Sequence, residues 1–164
     1  MSGGRRLLIL GGIALALWGM GYGLWYAIFA EHQALNSIGA SLAATFDAAA
    51  GRNLAAAETA FQDYREAKYI YDRQVDVHGH WIGLAMLLIV LGIGFDRVAL
   101  AERQKLALAW ALFAGAVIFP FGVLLETFDH GAIPRAIAIL GSVLVIVALA
   151  GITLGLAVRP NALR

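Results

Sequence analysis

His78-Gly79-His80 sets two imidazoles two residues apart at the start of an apolar run, with Asp76 just before them. Imidazole binds copper and zinc and is a common axial ligand of haem iron, so this triplet is the first place to look for chemistry. On a regular helix, residues two apart point about 200° apart, so both rings reach one ion only if Gly79 lets the backbone stay extended. A haem makes a different demand, one axial ligand on each face of the macrocycle. One inward-facing histidine of the triplet, His78 or His80, paired with a histidine from another helix or subunit meets that demand, and His130 gives the simplest pair within the chain. His32, Glu126 and Asp129 are further candidate metal ligands, and Glu31 and Asp76 stand at the same level of the chain's expected topology.

Other chemistry is excluded by what the chain lacks. It has no cysteine, so it carries no disulfide, thiolate metal site or thiol nucleophile. It has no P-loop, no Gly-x-Ser-x-Gly and no His-Glu-x-x-His. A net charge of +1 without a concentrated basic face argues against a nucleic-acid partner.

The elements that must position these side chains are membrane helices. Hydrophobic residues make up 61% of the chain and charged residues 14%, against about 25% charged in an ordinary soluble domain. A chain of 164 residues cannot hide that much apolar surface in one soluble core, and a lipid bilayer is the solvent that suits it. Apolar runs over Leu7 to Phe29, Val77 to Phe95, Leu106 to Leu125 and Ile137 to Val158 each approach the roughly twenty residues needed to cross a hydrocarbon core. Backbone groups in lipid must be satisfied within the segment, so all four are expected to be helices. The expected fold is all-α: an integral membrane four-helix bundle, with an extramembrane helical hairpin over 31–76 between helices 1 and 2.

The first run exceeds the 7 to 15 residues of a secretory h-region, and it is expected to be retained as a helix rather than cleaved. Arg5-Arg6 before it reads as a charged flank rather than a twin-arginine signal. Arg5, Arg6, Arg97, Arg103, Lys105, Arg159 and Arg164 all fall on one side of this topology, which makes that side cytoplasmic. Both termini are then cytoplasmic, in a multi-pass protein of the inner (plasma) membrane, and the hairpin is periplasmic or extracellular. All four histidines emerge on the hairpin side. Ionisable groups so close to hydrocarbon point to function, although helix ends at an interface also carry polar residues for solvation alone.

Between Glu31 and Asp76 the chain turns polar but keeps good helix formers. Leu35, Ile38, Leu42, Phe46 and Ala49, and then Leu54, Ala57, Phe61, Tyr64 and Tyr71, recur at helical steps on either side of Gly51-Arg52-Asn53. Two amphipathic helices follow, with Gly51 suited to a left-handed C-terminal position and Asn53 to the next N-cap. Leu42, Phe46, Phe61 and Tyr64 are expected to share the seam. The pairs Gly19 and Gly23, Gly79 and Gly83, and Gly151 and Gly155 predict close helix approach on three spans, and Pro120 predicts a kink in the third.

His78-Gly79-His80-Trp81-Ile82-Gly83 followed by an apolar helix resembles the start of the second helix in the catalytic-subunit family of haem–copper oxidases and nitric oxide reductases, and short four-helix membrane proteins with His-x-His at this place. The likeness covers about twenty residues. It implies a low-spin haem ligand at His78, the nearer match, or at His80. The chain lacks the later helices that supply copper-ligating histidines in that family, so oxygen or nitric oxide reduction by this chain alone is not implied.

Two functions fit these observations. One is a membrane subunit that binds haem b, or alternatively copper or zinc, near the outer leaflet and transfers electrons. The other is a cofactor-free accessory subunit that packs in a homo-oligomer or against other membrane subunits.

Overall fold

The computed structural model describes residues 2–158, so Arg159 and Arg164 of the expected cytoplasmic flank lie outside the described residues. It is all-helical: α1 (Gly3–Phe29), α2 (Glu31–Ala50), α3 (Leu54–Gly94), a short 3-10 turn (Phe95–Arg97), α4 (Glu102–Leu125) and α5 (Ala132–Ala157). Helices α1, α3, α4 and α5 are long and apolar enough to cross a membrane.

Helix α3 is 41 residues long, about 60 Å at 1.5 Å per residue and roughly twice the thickness of a hydrocarbon core. α4 and α5, with 24 and 26 residues, are close to single-span length. The extra length of α3 pairs with α2, which runs back antiparallel to it. α2 itself nearly continues α1. Only Ala30 breaks the helical geometry, and its N–H still reaches the carbonyl of Tyr26 at 2.9 Å.

The reversal between α2 and α3 has a local cause. Asn53 N–H donates to the carbonyl of Ala48 at 2.9 Å and Arg52 N–H to that of Ala49 at 3.0 Å, the paired bonds of a Schellman C-terminus. The left-handed residue is Arg52, at φ 56°, and not Gly51, which remains near-helical at φ −74°. Helical bonding runs one residue further than expected, because Gly51 N–H still reaches Asp47 at 3.0 Å. Asn53 caps α3, accepting from the N–H of Ala56 at 3.2 Å.

Packing differs between the two halves. In the bundle, Leu8, Trp81, Leu88, Phe95, Leu112 and Ile152 are almost wholly buried, and α4 lies tightly on α5. In the hairpin, α2 has no buried residue at all. Its half-covered face is Ala34, Ile38, Leu42, Thr45 and Ala48, set against Ala57, Ala60, Tyr64, Ala67 and Tyr71. Leu42 and Tyr64 lie on the expected seam, but Phe46 is 67% exposed and Phe61 40%, so these two rings stand off it and alanines and Thr45 fill much of the rest.

Glycine placement also differs in part. Gly19 and Gly23 face α3, and Gly151 and Gly155 face Leu108 and Val98, but Gly79 and Gly83 have open space around them. The closest backbone approach instead falls at Gly115, Gly122 and Gly141 between α4 and α5. Pro120 is buried inside α4, which continues past it to Leu125.

One end of the bundle is closed by Ser2 and Arg5 bonding Asp96 and by Ala99 N–H donating to the carbonyl of Gly155 at 2.8 Å. All four histidines lie toward the opposite end.

Candidate functional site

His78 sits level with Gly23, about two turns into the bundle from Ala30, on the face of α3 that packs on α1. Its Nδ1 lies 2.9 Å from the carbonyl oxygen of Gly19. A carbonyl only accepts, so Nδ1 carries the proton and the neutral ring keeps its lone pair on Nε2. This is the second-sphere arrangement that fixes the tautomer of metal-bound histidines. The ring lies directly over Gly23, where any Cβ would collide with it. The missing side chain at Gly23 and the carbonyl of Gly19 therefore determine where this imidazole sits.

The ring lines a cavity of about 300 Å³ with Gly23, Tyr26, Ala27, Glu31, Tyr71 and Val75. Tyr26 is 6% exposed, and its hydroxyl has no hydrogen-bond partner among the described residues. Imidazole, carboxylate and phenol together form a mixed N/O donor set that suits haem iron, copper or zinc. The volume is at the small end of ligand pockets, so the cavity has room for an ion or one edge of a macrocycle. Trp81, one turn further along α3 and nearly buried, meets Tyr22 edge-on at 5.2 Å and Trp18 at 5.8 Å.

His80 faces elsewhere. α3 is an unbroken helix through the triplet, and the His80 ring packs edge-on to Phe119 of α4 at 4.6 Å. Its Nδ1 is buried without a hydrogen-bond partner among the described residues. The two rings therefore serve opposite faces of α3, as the 200° offset requires, and they do not converge on one ion.

His130 is placed on a third surface. Its Nε2 is 3.5 Å from Glu66 Oε1 and its ring meets Tyr69 at 4.9 Å. Tyr69 precedes His78 by nine residues, about 14 Å along the helix, so the structure does not pair His130 with either histidine of α3. His32 is exposed and bonds Asn36 at 3.1 Å. Asp129 is exposed too, and accepts from Gly131 N–H at 2.8 Å. Among the described residues no group of three or more His, Asp or Glu is arranged to hold a metal ion.

Glu126 belongs to a separate polar cluster at the C-terminus of α4. It accepts from the Tyr69 hydroxyl at 3.1 Å and lies 3.6 Å from Arg73 Nε, with its side chain only 14% exposed. Tyr26, Tyr69 and Arg73 were not singled out from the sequence. The signal available was the four-residue step of Tyr22 and Tyr26, and of Tyr69 and Arg73, which puts each pair on one helix face.

No family model, no curated protein and no solved structure matches this chain.

Proposed function

We propose that this protein is a membrane subunit in electron transfer that holds a haem b, or alternatively a copper or zinc ion, through His78. The observation that carries the reading is the bond from His78 Nδ1 to the Gly19 carbonyl, which leaves Nε2 as a lone pair beside a cavity holding Glu31 and an unpartnered Tyr26 hydroxyl. When bound, a haem or a copper ion would supply one-electron chemistry, whereas zinc, which has no redox couple, would serve only as a structural or Lewis-acid centre. The chain's own residues would do the rest. Gly19 and Gly23 orient the imidazole, Glu31 balances positive charge, and Val75 and Ala27 make the cavity partly apolar. The second ligand comes from outside this chain's His78 cavity, since His130 is bound elsewhere.

In this reading the four apolar helices cross the inner membrane with the Arg5, Arg6, Arg97 and Arg103 end in the cytoplasm. The α2–α3 hairpin stands outside the bilayer on the other side, in keeping with the excess length of α3. The cavity then sits near the outer leaflet.

An absorbance spectrum and elemental analysis of protein expressed with adequate haem supply test this. A Soret band lost in His78→Ala, or stoichiometric copper or zinc lost in the same variant, is the expected result. Absence of both the band and the metal from the unmodified protein overturns it.

A second reading is supported by a different observation: α2 buries none of its side chains and leaves Leu35 and Phe46 exposed. The chain would then be a cofactor-free accessory subunit, with the hairpin docked on a neighbouring protein. Stable co-purification of partner subunits, with function kept when His78, His80 and His130 are each changed to Ala, distinguishes it.

A further inference from the structure

Helices α3 and α5 both pack on α4, and the cleft left between them is floored by Phe119, Val123 and Glu126 of α4. Tyr69 and Arg73 form one wall, and Arg135, Ala138, Ile139, Ser142 and Val143 form the other, around a cavity of about 460 Å³. A second cavity of about 510 Å³ continues toward the hairpin and shares Tyr69 and Arg135 with the first. One end of this continuous cleft is polar and carries charges of both signs, Arg65, Lys68 and Arg135 with Glu66 and Asp72. The other is apolar, and its lip residues Ile139 and Val143 are 58% and 48% exposed.

One cation at this end is left uncompensated. Arg135 has no ion-pair partner among the described residues. Arg73 is 3.5 Å from Asp76 and 3.6 Å from Glu126, beyond the roughly 2.7–2.9 Å of a charge-assisted hydrogen bond, and its Nε is buried with no hydrogen-bond partner. α5 begins beside them with no acidic residue in its first turn, although the Asp129 carboxylate accepts from the N–H of its N-cap residue, Gly131, at 2.8 Å. Asp76 and Glu126 both lie near Arg73, so the guanidinium left without a carboxylate is that of Arg135, at the start of α5. An anion with oxygens for two forks and an apolar tail for the α4–α5 wall fits this surface.

We propose that the cleft is a binding site for an anionic phospholipid, with Arg73 and Arg135 on the phosphate and an acyl chain along Phe119, Val123, Ala138, Ile139 and Val143. The site is separate from the His78 cavity and does not depend on a cofactor there. Free phosphate would satisfy the arginines but leave the apolar cleft unused, so the lipid is the occupant that uses both ends.

Native mass spectrometry of the full chain released from nanodiscs of mixed phosphatidylglycerol and phosphatidylcholine tests the assignment. One phosphatidylglycerol should be retained per chain, at least tenfold over phosphatidylcholine. Arg135→Gln should reduce that retention about tenfold, and Ile139→Trp, which fills the apolar end and leaves both arginines, should reduce it comparably. Arg6→Gln at the opposite end should leave it unchanged. Equal retention of the two lipids, unchanged retention in both cleft variants, or displacement of the lipid by millimolar inorganic phosphate with phosphate bound in its place would each overturn the proposal.

Discussion

His78 Nδ1 donates to the carbonyl oxygen of Gly19 at 2.9 Å, tying the start of the membrane portion of α3 to the middle of α1. The contact requires glycine at position 23, over which the ring lies. Gly23→Ala should therefore displace the imidazole and destabilise the protein by about 1–3 kcal/mol, the range for overpacking a filled site. Nitrogen-15 shifts of labelled histidine should report the Nδ1-protonated tautomer for His78 in the parent and its loss in the variant. An Nε2-protonated ring in the parent would contradict the bond.

Glycine substitutions should sort by surroundings rather than by spacing. A Cβ at Gly115 would lie 2.7 Å from the Gly141 carbonyl and 2.9 Å from Val145 N, both rigid backbone atoms. Gly115→Ala is expected to cost about 1–3 kcal/mol in unfolding measured in detergent micelles. Gly83 has nothing within 4 Å, so Gly83→Ala should be neutral or stabilise by up to about 1 kcal/mol through helix propensity.

The hairpin turn holds a non-glycine residue in the left-handed region. Arg52→Gly should relieve that conformation and stabilise the turn by about 0.5–1 kcal/mol after the added chain entropy of glycine. Slower amide exchange at Asn53, whose N–H closes the motif, would show it. Phe46→Ser should change stability by no more than about 0.5 kcal/mol, because the ring is mostly exposed. A larger loss in the purified chain would mean that this ring is covered.

The opposite end of the bundle should loosen in acid. The Ser2 hydroxyl, donating at 2.6 Å, and then Arg5, at 2.9 Å, hold the Asp96 carboxyl below its ordinary 3.8. A carboxylate with a depressed pKa contributes stability that is present above the unfolded value and lost as pH falls through the folded one. A nitroxide at Gly3 should therefore gain mobility only below about pH 4, the ordinary range for aspartate. Asp96→Asn should show the mobile spectrum already at neutral pH.

Much of the architecture was legible along the chain. Apolar runs of span length require helices because lipid offers the backbone no partner, so the four spans and the all-α class follow from residue type and run length alone. The α2–α3 reversal was legible as well, because Asn53 caps through its own side chain. The 200° offset of residues two apart already placed His78 and His80 on opposite faces of α3.

Only the tertiary structure decided what those faces meet. Gly79 and Gly83 share the spacing of Gly19 and Gly23, yet one pair faces open space and the other seats α3 and an imidazole. Spacing fixes a face but not its neighbour. The small residues in the hairpin seam, the position of His130 beside Glu66 and Tyr69, and the cleft between α3 and α5 all arise from helix rotation and axial offset. Those quantities are set by side chains packing across elements far apart in sequence, and no local run of residues encodes them.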